Sequence, residues 1–311
     1  MAGRYAGDVT ANNPWFEGFD VRRFEFDGNA VYARVGGRVD APPLMLVHGF
    51  PQTHVMWHRV AQALAPHFRL VLPDLRGYGD SAHPPGESDH ANYSKRAMAQ
   101  DLLRLMRALG HERFALCGHD RGARVSHRLA LDHPQSVQKL ALIDIAPTLD
   151  MYDATDMRFA RAYYHWFHLI QPHPLPEMMI GGCARDYLHA KLGGWGSGGT
   201  AHIEAEALAE YERCFCRPEA IHSACEDYRA SAGIDLEHDR ASRAAGDRIA
   251  CDTLVLWGQR GVVQALFDPL ALWQAQCRAK VQGLAMPAGH FIPEELPAET
   301  AGALHGFFVA A

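Results

Sequence analysis

Residues Cys117 to Val125 read CGHDRGARV. Within them, Gly118-His119-Asp120-Arg121-Gly122 has the outline of G-x-S-x-G, the elbow where a strand turns sharply into a helix and exposes a nucleophile, with aspartate in the serine's place. The apolar RFALC precedes it, and the helix-like RGARVSHRLALDHP follows it up to Pro134. Glycines two before and two after Asp120 permit the turn and the close strand–helix packing. A plain helix N-cap aspartate has the same local look, so support must come from the rest of the chain.

Two features supply it. His48-Gly49-Phe50 follows an earlier apolar strand, PLMLV. In such an arrangement that loop donates one backbone N–H and the residue after the nucleophile donates another, so Phe50 and Arg121 are the expected oxyanion hole. His290, in PAGHF after the last strand, fits the chain order nucleophile, acid, histidine and is the base candidate among 19 histidines. The acid is harder to place. The loop after the penultimate strand, WGQRGVV, offers no carboxylate at Gln259, Arg260 or Gly261. Asp144, closing LALID after the elbow helix, is the preferred partner of His290. Asp268 is its rival.

The residue type selects the chemistry. A carboxylate is ionised at neutral pH and needs no base to attack. Attack on an ester or amide would give a high-energy anhydride. Attack on saturated carbon gives an alkyl-enzyme ester, which water activated by His290 can then hydrolyse. Dehalogenation and epoxide opening are the two reactions of this type. Arg121 and Arg124 stand beside Asp120 and one helical turn on. Two guanidiniums there can clamp a substrate carboxylate and offset its repulsion from Asp120. The bland reading has both paired with surface acids.

The bulk numbers narrow the partners. The chain has 311 residues, 48% hydrophobic and 21% charged, with a net charge of −6, which argues against nucleic acid or an anionic membrane as partner. Seven cysteines lack regular spacing. No C-x-x-C occurs, and Cys214 and Cys216 are too close for a metal knuckle, so reduced thiols and a cytoplasmic location are expected. Neither metal nor cofactor is called for. The opening MAGRYAGDVT lacks the apolar core of a secretory leader, and no run approaches a membrane span. Gly194, Gly196 and Gly199 of GGWGSGG satisfy G-x-G-x-x-G, but without a preceding strand they read as a flexible loop.

These groups need a scaffold. Asp27-Gly28 marks a hairpin turn. Short apolar strands then alternate with helices from PLMLV to VQKLALID, which implies an α/β fold with a mostly parallel sheet. SKRAMAQDLLRLMRALG places Met98, Leu102, Leu105, Met106 and Leu109 on one face. From Thr148 to Ala230 no strand is convincing. Strand signals return at CDTLVLWG and VQGLAMPAGH, and a helix follows near PAETAGALHGFFVA. The expected division is a core of residues 1–147 and 231–311, with a helical cap at 148–230 over the sheet edge where α/β folds bind ligands.

HGFPQTHVMWHRVA, HDRGARVSHRLALDHP, YYHW, CEDYRA and AGHF together resemble the haloacetate (fluoroacetate) dehalogenases of the α/β-hydrolase fold, from about residue 19 onward. The resemblance implies hydrolysis of small 2-haloacids without a cofactor, in a homodimer. It implies Asp120 as nucleophile, His290 as base, Asp144 as its partner, and Arg121 and Arg124 on the substrate carboxylate. It assigns the leaving halide to His165, Trp166 and Tyr228, and pocket positions to His119 and Trp195. The glycine-rich surroundings of Trp195 depart from the family pattern. An epoxide hydrolase is the enzyme alternative, with Tyr228 and either Tyr163 or Tyr164 protonating the epoxide. A ligand-binding protein with a retired site is the non-enzyme alternative.

Overall fold

The Asp27-Gly28 pair forms a hairpin turn with both residues at positive φ, 51° and 82°, the type I′ geometry that suits twisted strands. It joins β2 (Asp20–Phe26) to β3 (Asn29–Gly37). The computed structural model describes residues 4–5 and 14–310. Apart from Arg4 and Tyr5, the opening MAGRYAGDVT lies outside the described residues. The remaining strands are β1 (Arg4–Tyr5), β4 (Pro43–Val47), β5 (Arg69–Pro73), β6 (Phe114–His119), β7 (Val137–Ile143), β8 (Asp252–Gly258) and β9 (Val281–Met286). They form one sheet ordered β1-β2-β3-β5-β4-β6-β7-β8-β9. The β1, β2 and β3 pairings are antiparallel, and every pairing from β5 to β9 is parallel.

Chain order reverses beside β4, whose neighbours are β5 and β6. Such a switch point opens a crevice at the carboxyl ends of the strands. Leu44 to Val47 and every residue of β6 are buried, as expected for parallel strands covered on both faces. The Lys95–Ala108 helix starts at Ser94, whose hydroxyl accepts from Ala97 N, and buries Met98, Leu102, Leu105 and Met106.

Between β7 and β8 the chain is helical, with eight helices from Thr148–Asp153 to Ile234–Ala245 and no strand among the described residues. Helix therefore continues past residue 230. The Ile234–Ala245 helix leans on the Arg121–Asp132 helix of the core, where Arg128 pairs with Asp239 at 2.6 Å and donates to Ser242 Oγ at 2.9 Å. The GGWGSGG loop runs between two helices, not out of a strand. It lies against the core: a Cβ at Gly196 would sit 2.1 Å from the Arg260 carbonyl oxygen.

Candidate active site

Asp120 sits between β6 and the Arg121–Asp132 helix at φ 48° and ψ −117°, a region an aspartate occupies only when its surroundings hold it there. The surroundings are tight. A Cβ on Gly118 would meet Gly122 O at 2.5 Å, and one on Gly122 would meet His48 O at 2.2 Å. Gly49 lets the neighbouring loop approach, since a Cβ there would fall 2.5 Å from Asp120 Cβ. Phe50 N–H donates to Asp120 Oδ1 at 2.9 Å, while Oδ2 faces His290 Nε2 at 3.7 Å. The two carboxylate oxygens thus have different environments. Arg121 is the first residue of its helix, so its N–H has no acceptor within that helix. Burial pushes the Asp120 carboxyl up, but the charges of His290, Arg124 and Arg121 outweigh it and hold it below the usual value.

His290 Nδ1 and Asp144 Oδ2 are 2.6 Å apart. Asp144, at φ 52° directly after β7, also accepts from Gly258 N at 2.9 Å. With Nδ1–H donating to Asp144, Nε2 is left to face Asp120, and it has no hydrogen-bond partner among the described residues. Burial opposes an imidazolium at His290, yet the hydrogen bond and charge of Asp144, with Asp120 behind them, raise its pKa above the ordinary histidine value. Asp268 is elsewhere, capping the Pro269–Gln276 helix through Ala271 N at 3.0 Å. His119 is fully buried. Its Nε2 bonds the His290 carbonyl at 2.8 Å, and burial with the nearby His290 charge lowers its pKa to about 3. It is therefore a neutral support for the loop that carries His290.

The two arginines are buried but differ in their partners. Arg121 does not reach a surface acid. Its Nε and Nη2 bond Asp227 at 2.9 and 2.7 Å, and Nη2 also reaches Ser231 Oγ at 2.7 Å. Its Nη1 is buried without a partner among the described residues. Arg124 has no ion pair among the described residues. Nη1 donates to Ala146 O at 3.2 Å and Thr148 Oγ1 at 3.0 Å, and Nε has no partner. Burial lowers the Arg124 pKa and the Asp120 charge opposes it. Two guanidiniums with spare N–H donors therefore act on Asp120, and of the two only Arg121 has an ion pair among the described residues.

Aromatic side chains from the helices between β7 and β8 pack against these guanidiniums. Arg121 Cζ lies 4.1 Å from the Tyr228 ring centre and Arg124 Cζ 4.7 Å from that of Trp166. His165 is 5.5 Å from Tyr228 and stacks on Phe50 at 6.1 Å. Trp195, itself at φ 51°, stands 4.7 Å from His165 and 5.2 Å from His290. His165 Nδ1 and Tyr228 Oη are buried polar atoms without partners among the described residues. Burial, helped by the Lys191 charge, keeps His165 well below the usual histidine value, and burial with the Asp120 charge keeps the Tyr228 phenol protonated. Both present neutral donors. Tyr163 is buried close enough to feel Asp144 and Asp120. Tyr164 is 48% exposed.

The sequence reading missed the group behind Arg121. Asp227, within the quoted CEDYRA, also accepts from Tyr78 Oη at 2.6 Å and pairs with Lys95, which reaches Asp235 at 3.4 Å. A buried arginine next to a nucleophile demands a buried acid, and that demand is the signal that would have found it. Tyr152 was also missed. Its hydroxyl is buried without a partner among the described residues, its ring lies 4.8 Å from Trp166, and it feels both arginines. Glu294 is a third omission. It accepts from Tyr211 Oη of the cap at 2.9 Å and bonds Gln52 of the Phe50 loop, and burial raises its pKa to about 8.

The profile of the alpha/beta hydrolase fold matches residues 42–181. A fluoroacetate dehalogenase from Burkholderia sp is 45% identical over 292 residues, covering 94% of each chain. A soluble epoxide hydrolase from Corynebacterium sp. (strain C12) is 31% identical over 258 residues, covering 82% of this chain and 86% of its own. A solved structure from Nostoc sp PCC 7120, of the α/β-hydrolase type, superposes with a TM-score of 0.92 at 50% identity, covering 95% of this chain and 100% of that one. An aspartate at the elbow, an arginine one helical turn on without an ion pair among the described residues, and near-full-length likeness to a dehalogenase converge: the chain belongs to the fluoroacetate dehalogenases of the α/β-hydrolase fold.

Proposed function

We propose that the protein is a hydrolytic dehalogenase of small 2-haloacids, converting fluoroacetate and water to glycolate, fluoride and a proton. The observation that carries this reading is the buried Arg124 guanidinium, which lacks a carboxylate partner among the described residues and lies in the field of Asp120. A buried charge is retained when its partner arrives with the ligand. The spare Nη1 of Arg121 supplies a second donor for the same carboxylate.

In the first step Asp120 Oδ2 attacks the halogen-bearing carbon, the carbon–halogen bond breaks, and the halide leaves opposite the attacking oxygen. A 2-substituted acid is inverted at C2. Fluoride concentrates its charge on a small ion and needs converging donors in a dry pocket. His165, Trp166 and Tyr228 are the donors in this reading. In the second step water loses a proton to His290 Nε2 and attacks Asp120 Cγ. Negative charge develops on Oδ1, where Phe50 N–H already points and where Arg121 N–H is the second donor. Collapse returns the carboxylate and releases glycolate. Esterification removes the Asp120 charge that helps raise the His290 pKa, so His290 becomes more neutral in the intermediate that needs a base.

Epoxide opening is the runner-up, because Tyr228 and the buried Tyr163 supply two phenols near Asp120. Arg124 disfavours it, since a neutral epoxide leaves that buried guanidinium without a carboxylate. Homodimer assembly and a cytoplasmic location belong to the same proposal. Family membership supports the first, and seven free cysteines support the second. No helix among the described residues is long and apolar enough to cross a membrane. The test is fluoride release from fluoroacetate by the purified protein and by Asp120→Asn. Release by the wild type alone supports the reading. Turnover of a neutral epoxide with no haloacid turned over overturns it.

A further inference from the structure

Among the helices between β7 and β8, two histidines and a glutamate converge at a partly exposed spot. His173 precedes the Leu175–Gly181 helix, Glu177 lies in its first turn, and His222 belongs to the Pro218–Ala232 helix. His173 Nδ1 is 3.3 Å from Glu177 Oε1, and His222 Nδ1 is 3.2 Å from the same oxygen. One ligand atom from each residue lies within 4.8 Å of the other two. We propose that these three side chains form a binding site for a divalent transition-metal ion of the zinc class.

The spacing carries the argument. Zinc bonds to imidazole nitrogen and carboxylate oxygen are about 2.0–2.2 Å long, so neighbouring corners of a tetrahedral shell lie about 3.3 Å apart. Both measured edges on Glu177 have that length. Two imidazoles and one carboxylate, with a fourth corner for water, form a known zinc donor set. His173 is 63% exposed at its side chain, which gives an ion a way in. Glu177 is held behind the site by Arg229, whose Nη1 and Nη2 reach its two oxygens at 2.8 and 3.2 Å. Supporting hydrogen bonds to a ligating carboxylate commonly orient such sites. Arg229 does not leave the site net positive, because it also pairs with Glu226 at 2.7 Å and donates to Gln171 O at 2.6 Å.

A bound ion would fasten the loop at His173 and the Leu175–Gly181 helix to the helix that carries Asp227 and Tyr228. The site thus stiffens the cap element that holds Arg121 and faces the reacting halide. It is independent of the proposed chemistry, and its test does not use turnover.

The experiment is calorimetric titration of tag-free protein with zinc chloride, with cobalt(II) absorption in the visible as a report of tetrahedral geometry. His173→Ala and His222→Ala are compared with His305→Ala. His305 packs on His67 at 4.2 Å between ring centres, in the Pro297–Val309 helix, which carries none of the three residues. The expected result is one zinc per chain and a tetrahedral cobalt spectrum in wild type and His305→Ala. Affinity should fall in the other two by more than the roughly 10–100-fold that loss of a supporting group costs. Zinc should raise the melting temperature only where it binds. No saturable binding, or binding equal in all four proteins, overturns the proposal.

Discussion

Asp227→Asn tests whether the buried acid behind Arg121 organises the substrate pocket. The carboxylate is fully buried and accepts from Arg121, Lys95 and Tyr78. Asparagine keeps the shape and removes the charge. Lys95 retains Asp235 at 3.4 Å, whereas Arg121 loses its ion-pair partner. Leaving a buried charge unpaired costs about 3–5 kcal/mol. With unfolding entropy of about 2.1 cal/mol/K per residue, that lowers the melting temperature of a chain this long by about 5–8 °C. An Arg121 that swings out of place also loses a charged hydrogen bond to substrate, worth about 1.5–3 kcal/mol, or roughly 10–150-fold in kcat/KM. Differential scanning calorimetry and fluoride-release kinetics measure the two effects. Arg213→Ala, at an exposed cluster with Asp80 and Glu210, is the control and should cost about 1 kcal/mol or less. The pH dependence has a definite sign. Although burial acts against it, the Arg121 and Lys95 charges hold the Asp227 pKa far below its unfolded value. Its contribution is therefore present above about pH 4 and fades as pH falls from there toward the depressed folded value. An Asp227→Asn protein that melts with the wild type and keeps its haloacetate KM refutes this reasoning.

Arg124→Lys removes a planar donor set bonded to Ala146 O and Thr148 Oγ1; steady-state kinetics with fluoroacetate and chloroacetate should show KM raised roughly tenfold or more. Gly122→Ala forces a Cβ to 2.2 Å from His48 O and 2.5 Å from Val47 O, so it should cost about 1–3 kcal/mol or more by chemical denaturation. Gly306→Ala, in the Pro297–Val309 helix with nothing within 4 Å, should gain about 0.5–1 kcal/mol. Asp144→Asn should cut steady-state turnover by about 10³–10⁴ while rapid-quench assays still find a first equivalent of halide, because carbon–halogen displacement needs no base.

The strands, the elbow and the helical stretch between β7 and β8 were legible because each rests on local pattern: apolar runs, the Asp27-Gly28 turn, glycines flanking Asp120, and no strand signal from Thr148 to Ala230. The pairing of Asp144 with His290 was less so. Asp144 and Asp268 follow different strands, and only the tertiary structure puts one of them 2.6 Å from the imidazole while the other caps a helix. Asp227 stayed hidden for a related reason. Its partners Lys95 and Arg121 are distant in sequence, and an acid beside a tyrosine in a helix carries no periodic signature. The two arginines looked equivalent at +1 and +4 from Asp120. Packing separates them: Asp227 pairs with Arg121, while Arg124 has no ion pair among the described residues. Glu294 and Gln52 tie the Phe50 and His290 loops to Tyr211 through long-range contacts of the same kind.

The central claim is that Asp120 itself carries the substrate as an ester. Single turnover of fluoroacetate by excess enzyme in ¹⁸O-water, with mass spectrometry of the Asp120 peptide and of the product, tests it most directly. Attack of water at Asp120 Cγ leaves ¹⁸O in the Asp120 carboxylate and releases unlabelled glycolate in the first turnover. Labelled glycolate with an unlabelled Asp120 would mean that water attacks the substrate carbon directly, and would contradict the account.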